Sequence, residues 1–385
     1  MKRVDHFPFD LLTASVEDKK NYFLERTVNH PILNNTFSNV MDKINDAPRG
    51  KVFLVFGPTG VGKSTLCRRV NNEIIIKYLE HNNTDKGTIP IIMLEIPAPE
   101  NGKFNWRDFY KRMLKELNEP LIEHKITNNT EERVEKKRKI PVHLPSTAPE
   151  LRESLENAIR YRKTKIILLD EAQHLLKIAS GKDPKDHLDA IKSIANLTGS
   201  IIVMFGTYDL TDFFNLNGQL GRRTNEIHFP RYNAEIDKEI KEFKSVINTF
   251  QNKLPFYEET NLLQYWDFLY ERSIGCIGIL KEWLDECVKE ALNKNQSAIT
   301  YEILEKTAPS PAKALTIAEE TISGEEKVRE QGESSYLLRE KLGLRKNKKS
   351  KNEESIEKSS SKKKKDVGKR NPTRDQVGIS ESSGY

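Results

Sequence analysis

The feature that most constrains this chain is the run of residues 57–64, GPTGVGKS, which we call the phosphate loop. It matches the pattern Gly-x4-Gly-Lys-Ser/Thr at every required position. The apolar, β-prone run Lys51–Phe56 precedes it, and a helix start at Thr65 follows it. A strand, a glycine turn and a helix N-terminus aim several backbone N–H groups at one anion. The sequence therefore predicts that this loop holds the phosphates of a nucleotide.

A second motif supplies the carboxylates that such a site needs. The apolar run Ile166–Leu169 ends in Asp170 and Glu171, as a buried strand does when its carboxyl end meets the phosphate loop. Lys63 is predicted to reach the β- and γ-phosphates of ATP, and Ser64 to hold Mg²⁺. We expect Asp170 to hold Mg²⁺ through water and Glu171 to polarise the attacking water. The two motifs together predict ATP hydrolysis.

Charge is unevenly distributed along the 385 residues, a length that allows about two domains plus extensions. The net charge is +6, but residues 345–385 hold 13 Lys/Arg against 6 Asp/Glu, which gives +7 there and −1 for the rest. The basicity of the whole chain is therefore no argument that its folded body binds nucleic acid. That prediction depends on local patches.

Several compositional features predict a cytoplasmic protein without a membrane segment. No apolar run approaches the roughly 18 residues of a membrane span. Lys2 and Arg3 are not followed by the apolar stretch of a secretory signal. The chain has 3 widely spaced cysteines, which indicates a reducing compartment and no cysteine metal site.

The order of patterns predicts an α/β fold with a central parallel sheet. Residues 1–50 are interpreted as a helical extension near the nucleotide base, and residues 51–233 as the α/β core. Charge, asparagine and proline mark 119–149 as a surface insertion in that core. Residues 234–342 are predicted to form a helical lid and C-terminal helices. Residues 343–385 form a basic tail, predicted to be disordered when free.

Other candidate residues have two interpretations each. Thr207 ends a buried strand, where it suits a γ-phosphate sensor or a simple turn residue. The adjacent Arg222 and Arg223 suit either a surface pair or a contact with the γ-phosphate of a neighbouring subunit. His30 and Pro31 precede the first strand and suit either the nucleotide base or plain helix packing.

Local basic patches are the candidates for DNA binding. Residues 104–114 form an amphipathic pattern with a basic face, and residues 177–185 form a lysine-rich loop. Such faces are either solvated or bound to phosphates. The hypothesised DNA contacts are Lys103, Arg107, Lys111, Lys182 and Lys185.

The order of these motifs resembles the AAA+ ATPases, and more narrowly the TnsC/TniB group, which selects targets for bacterial transposons. The residues that carry the resemblance are the runs 57–66 and 169–175, the arginine-containing run 219–223 and the lid run 278–284. His30-Pro31 ahead of the first strand also fits. The resemblance covers about residues 20–340 and implies an AAA+ core followed by a small helical lid.

The resemblance also implies cofactors, partners and residue roles. Members load ATP and Mg²⁺, and assemble as hexamer- or heptamer-like rings or filaments on double-stranded DNA in the bacterial cytoplasm. They link a TniQ/TnsD-like target selector to a transposase. Thr207 would be the first sensor, Arg222 or Arg223 the trans finger, and Lys281 lies near the second sensor, where members usually carry Arg. Nucleotide contacts would fall on Gly57, Pro58, Thr59, Gly60, Val61, Gly62, Lys63, Ser64 and Thr65.

Three alternative functions also fit the sequence. The Asp-Glu-Ala-Gln run at 170–173 suggests a helicase, but a second nucleotide-binding core is missing from the sequence. A replication initiator or helicase loader of the same superfamily is the serious alternative, although it would more typically append a winged-helix DNA reader. A non-catalytic ATP-gated scaffold is the third, and the intact Asp170-Glu171 pair argues against it.

Overall fold

The computed structural model describes residues 9–81, 85–99, 102, 104–124, 147–176, 184–211, 224–258, 260–333 and 342. The chain divides into two compact units, Met1–Gly332 and Glu333–Tyr385. The predicted tail at 343–385 and most of the predicted insertion, 125–146, lie outside the described residues.

An all-parallel sheet of five strands forms the centre of the first unit, in the order β2-β3-β4-β1-β5. Parallel strands are buried on both faces, which is why their sequences read as continuous apolar runs. The predicted α/β class with a parallel sheet is confirmed. The strands are β1 (Val52–Phe56), β2 (Ile91–Glu95), β3 (Ile166–Asp170), β4 (Ile201–Gly206) and β5 (Thr224–His228).

Helices cover the two faces of the sheet, and the alternation of strand side chains separates two cores. On β1, Val52, Leu54 and Phe56 face one core, whereas Phe53 and Val55 face the other. The first core is covered by α4 (Trp106–Glu116), α5 (Ala148–Tyr161) and α6 (Pro184–Thr198). The second is covered by α2 (Pro31–Asn45) and α3 (Lys63–His81).

A third core belongs to the helical lid. It is built by α7 (Asp237–Gln251), α8 (Trp266–Ser273), α9 (Ile277–Asn293) and α10 (Tyr301–Thr307). Helix α1 (Val16–Leu24) contributes the fully buried Phe23 to this lid core, and Val28 follows it there. The segment before β1 is therefore divided, because α1 packs on the lid while α2 packs on the sheet.

The last described helix, α11 (Pro311–Glu333), packs back onto the sheet domain. Arg231, which follows β5, donates two hydrogen bonds to the Glu325 carboxylate, at 3.0 and 3.1 Å. A Cβ at Gly324 would lie only 2.3 Å from the Tyr208 ring, so this helix needs a glycine at that point. Helix α11 therefore lies against the segment that follows β4.

Three buried cysteines are distributed over these parts. Cys67 lies in the second sheet core, Cys287 lies in the lid core, and Cys276 immediately precedes α9. Burial raises the pKa of all three thiols, to about 12 for Cys276 and Cys287. No helix among the described residues is long and apolar enough to cross a bilayer.

Candidate nucleotide-binding site

The phosphate loop joins β1 to α3 at the carboxyl edge of the sheet. Gly60 and Gly62 have φ values of +73° and +111°, a region that L side chains rarely adopt. Gly57 is required for a different reason, since a Cβ there would lie 2.1 Å from the Phe229 carbonyl oxygen. The glycines that identified the loop in sequence are therefore needed by backbone geometry and by close packing on the end of β5.

Lys63 is the first residue of α3 and is only 6% exposed. Its Nζ donates to the carbonyl oxygens of Gly57, at 3.0 Å, and Pro58, at 2.7 Å. Burial lowers the pKa of this ammonium to about 8, while the negative charge of Glu171 acts in the opposite direction. A buried cation at the mouth of a glycine loop is strongly stabilised by an anion, which a phosphate group supplies.

Ser64 and Asp170 form the neighbouring part of the site. The Ser64 side chain hydrogen-bonds the Asp170 carboxylate, which is only 6% exposed at the end of β3. Burial raises the pKa of Asp170, and the bond from Ser64 opposes that effect. In the described part of the chain no cluster of three His, Cys, Asp or Glu forms a metal cage. One carboxylate and one hydroxyl fit Mg²⁺, because that ion takes its other ligands from phosphates and water.

Glu171 follows directly and has φ +53°, a left-handed conformation that is uncommon outside glycine. Its N–H donates to Asp170 Oδ1 at 2.9 Å, and Gln173 Nε2 donates to its Oε2 at 2.5 Å. The turn separates the two neighbouring carboxylates, so that Asp170 points to Ser64 while Glu171 remains partly exposed. This arrangement suits one metal-binding carboxylate and one that contacts water.

A pocket of about 180 Å³ lies beside the phosphate loop, between the 26–33 segment and the lid. His30 is 4% exposed in its wall, and its Nδ1 lies 3.1 Å from the Tyr232 hydroxyl. Burial lowers the pKa of His30 to about 4, so the ring is neutral near pH 7. Pro31 begins α2 directly after it. Apolar and small residues complete much of the lining, among them Val28, Leu33, Val61, Gly62, Phe250 and Ile277.

The lid contacts the phosphate loop directly at this pocket. The Ile279 N–H donates to the Gly60 carbonyl oxygen at 3.3 Å, and a Cβ at Gly278 would lie 2.4 Å from the same oxygen. Lys281 lines the pocket, and its Nζ bonds the Asp285 carboxylate and lies 4.6 Å from the centre of the Phe23 ring. Its role as a nucleotide sensor stays a prediction.

Comparisons with known proteins agree with this geometry. Residues 48–214 match the family model described as an AAA domain. The chain contains an AAA domain. No curated protein sequence matches the chain.

Solved structures with the same fold include two proteins of Aeropyrum pernix. The ORC2 protein, solved in ADPNP–ADP complexes, is 12% identical with a TM-score of 0.51, over 74% of this chain and 70% of that one. The ORC1 protein, solved in complex with DNA, is 15% identical with a TM-score of 0.53, over 75% and 68%. At such identity the likeness shows the fold alone.

A second cavity, of about 280 Å³, lies next to the phosphate loop, on what we call the phosphate side of the AAA domain. Pro58 and Thr59 line it from the phosphate loop, Thr207 and Asp209 from the segment after β4, and Thr321, Gly324 and Lys327 from α11. Thr207 thus lies on the phosphate side, as a first sensor requires, and its Oγ1 donates to Asp209 Oδ2 at 3.2 Å. Its sensor role stays a prediction.

The remaining predicted residues are only partly described. Arg222, Arg223, Lys103 and Lys182 lie outside the described residues, as does the side chain of Lys185 in α6. Arg107 and Lys111 lie on α4, as predicted. Their nitrogens lie 4.0 and 2.6 Å from Glu123 Oε2, so this acid partly neutralises the basic face.

Sequence reasoning missed several residues of the AAA domain site. Gln173 was part of a recognised motif but was given no role. Glu282 and Arg26 line the pocket beside His30, and Tyr208 and Glu325 place α11 at the phosphate side. The pair Lys281 and Asp285 did carry a signal, because opposite charges at i and i+4 on a helix commonly pair.

Proposed function

We propose that this chain hydrolyses ATP with Mg²⁺ and uses the nucleotide state to assemble on double-stranded DNA, where it links a target selector to a transposase. The observation that carries the enzymatic part is the grouping of Lys63, the Ser64–Asp170 pair and Glu171 at one edge of a parallel sheet. Each of these groups suits a separate task in phosphoryl transfer.

The proposed chemistry assigns one task to each residue. Lys63 and the N–H groups of the phosphate loop bind the β- and γ-phosphates. Ser64 and Asp170 would hold Mg²⁺, which when bound would neutralise charge that develops on the phosphate oxygens. Glu171 orients the water that attacks the γ-phosphorus and accepts its proton, as the bond from that phosphorus to the β–γ bridging oxygen breaks and ADP leaves. Thr207 contacts the γ-phosphate from the next strand, and Arg222 or Arg223 of an adjacent subunit completes the site.

The DNA-binding part is supported by the basic face of α4 and by the fold shared with an ORC1 protein solved with DNA. The transposition part is supported by the motif resemblance over residues 20–340. Contacts made by lysine and arginine to phosphates are indifferent to sequence and depend strongly on salt. The proposal therefore expects ATP-dependent oligomers on duplexes of unrelated sequence.

A test compares the full chain on two unrelated duplexes with a slowly hydrolysed ATP analogue and with ADP. Electron microscopy and sedimentation are expected to show rings or filaments on both duplexes with the analogue and dissociation with ADP. Tight binding to one sequence without such assembly would instead favour a replication initiator, the second candidate, which the shared fold with ORC1 and ORC2 supports.

The α4 face gives a sharper prediction. Reversing two charges, with Arg107→Glu and Lys111→Glu, is expected to flatten the slope of log Kobs against log salt by about 1–2, because each phosphate contact contributes about 0.9. Fluorescence anisotropy at several salt concentrations measures the slope. Lys238→Glu is the matched control, since Lys238 also lies on a helix near an acid, at 3.7 Å from Glu242, but on the lid. Equal slopes in both variants would indicate that the basic face of α4 is solvated and does not contact DNA phosphates.

The basic tail, 343–385, is proposed to dock the transposase. Its deletion is expected to leave ATP hydrolysis and assembly within about twofold of wild type while transposition falls by at least about tenfold, the effect of losing one tethered contact. A transposition assay is paired with DNA-binding measurements on the same protein. A loss of DNA affinity in proportion to the loss of transposition would identify a DNA tether instead, and unchanged transposition would contradict both roles.

A further inference from the structure

The side chain of Gln173 joins the ends of two neighbouring strands. Gln173 lies in the short 3₁₀ helix Ala172–Leu176 that follows β3. Its Nε2 donates to Glu171 Oε2 at 2.5 Å, and its Oε1 accepts from the Thr207 N–H at 3.3 Å, just after β4. One amide group therefore contacts both the proposed water-activating carboxylate and the backbone of the proposed γ-phosphate sensor.

Donor and acceptor chemistry fixes the orientation of this amide. A carboxylate accepts hydrogen bonds and a backbone N–H donates one. The observed orientation therefore satisfies both contacts, whereas a flipped amide would face oxygen to oxygen and nitrogen to nitrogen. An apolar side chain of similar length could make neither of these two hydrogen bonds.

Gly206 shows that space is reserved for the amide. A Cβ at Gly206 would lie 2.5 Å from Gln173 Oε1 and 2.7 Å from Leu210 Cδ1. The backbone of Gly206 does not have a positive φ, so packing, and not backbone conformation, accounts for the glycine. The Gly206 carbonyl oxygen also accepts from the Gly57 N–H at 3.3 Å, which brings the phosphate loop into the same set of contacts.

Glu171 needs an external constraint on its side chain. Its left-handed backbone, at φ +53°, is an uncommon conformation that persists where surrounding contacts hold it. The backbone is fixed by the bond from its own N–H to Asp170, but that bond leaves the carboxylate free to rotate. The Gln173 amide restrains the carboxylate itself by a hydrogen bond to Oε2, and the His174 ring lies farther off, with its Nε2 at 4.0 Å from the same oxygen.

We propose that Gln173 is a positioning residue for Glu171 and that it couples the carboxylate to the sensor segment at Thr207. This inference rests on the proposed ATP hydrolysis. A contact between the γ-phosphate and the Thr207 segment then shifts the amide and, through it, the Glu171 carboxylate. Water activation is thereby tied to the presence of the γ-phosphate. Gln173 itself contacts neither water nor phosphate in this role.

The test uses substitutions that separate the two halves of the amide. Gln173→Met keeps the length of the side chain and removes both bonds, so kcat is expected to fall about 10- to 100-fold, the cost of a misplaced reacting group. KM for ATP and the melting temperature are expected to change little. Gln173→Glu keeps an acceptor for the Thr207 N–H but places a second carboxylate beside Glu171, so its kcat is expected to fall further.

Two backgrounds test whether the residues act as one unit. Gly206→Ala displaces the amide and is expected to lower kcat at least as much as Gln173→Met, because its Cβ also meets Leu210, and the combined change is expected to cost less than the product of the two separate losses. In a Glu171→Gln background, Gln173→Met is expected to have no further effect, because the carboxylate that it positions is gone. Steady-state kinetics and thermal melts are measured on every variant.

The outcomes distinguish this inference from the proposed function. If the wild-type chain shows no ATP turnover, the proposed function and the inference both fail. If the wild type turns over ATP and Gln173→Met has an equal kcat, the inference alone fails. A raised KM together with a lowered melting temperature, or a further kcat loss in the Glu171→Gln background, would show that Gln173 has only a structural role and would also overturn it.

Discussion

Replacing Lys63 with alanine is expected to lower ATP affinity by about 100-fold or more. Charge-assisted hydrogen bonds contribute about 1.5–3 kcal/mol each, and the ammonium is expected to make more than one such bond to the β- and γ-phosphates. The melting temperature is expected to change little without nucleotide, since Lys63 bonds only carbonyl oxygens of its own loop among the contacts described above, and removing it also removes a buried charge. Isothermal titration calorimetry with ATP and Mg²⁺ measures the loss.

Lys77→Ala is the matched control, because Lys77 lies on the same helix with a half-exposed side chain. Its ATP affinity is expected to equal that of wild type.

Mixing Lys63→Ala protomers with protomers that carry Arg222→Ala and Arg223→Ala tests the trans finger. Mixed interfaces pair an intact loop with an intact arginine, so partial recovery of turnover is expected. Unchanged ATP affinity in Lys63→Ala would contradict the phosphate-binding role.

Replacing Glu171 with glutamine is expected to lower kcat by about 10²–10⁴-fold while ATP remains bound, because a general base contributes a factor of that size. The amide cannot accept the proton of the attacking water, whereas Asp170 and Ser64 still fit Mg²⁺. Single-turnover kinetics with radiolabelled ATP separate the chemical step from nucleotide binding. The variant is also expected to remain assembled on DNA for longer than wild type.

Glu95→Gln provides the control for that experiment, since Glu95 ends the adjacent strand in register with Asp170 and is exposed. Its kcat is expected to stay within about threefold of wild type, as for most surface substitutions. Normal turnover in Glu171→Gln would remove this residue from the mechanism. Loss of ATP binding in the same variant would instead indicate that Glu171 takes part in holding the nucleotide.

Local patterns were enough to predict the parts of the site that local geometry creates. The glycines of the phosphate loop and the apolar run before Asp170 carry their structural demands in adjacent residues, and the structure has the loop and the strands in these places. Helix α2 begins at Pro31, and proline at the first helical position is a start signal that can be read from the sequence.

Contacts between distant parts of the chain could not be predicted in this way. The strand order places β4 directly beside β3, and this pairing brings Thr207 next to Gln173. The bond between Arg231 and Glu325 joins residues 94 positions apart. The sequence around each of these two residues does not distinguish it from an ordinary charged residue on the surface. Such pairings depend on the packing of whole elements, which no short pattern records.

The reactivity of the three buried cysteines reports on local opening of the parts of the structure that surround them. Alkylating reagents attack the thiolate, and burial both raises the thiol pKa and blocks access, so each sulfur reacts only when its surroundings open. Cys67 reports on the sheet core behind the phosphate loop, Cys287 on the interior of the lid, and Cys276 on the junction where α9 begins. Labelling rates read by mass spectrometry therefore distinguish separation of the lid from melting of either part, without any engineered probe.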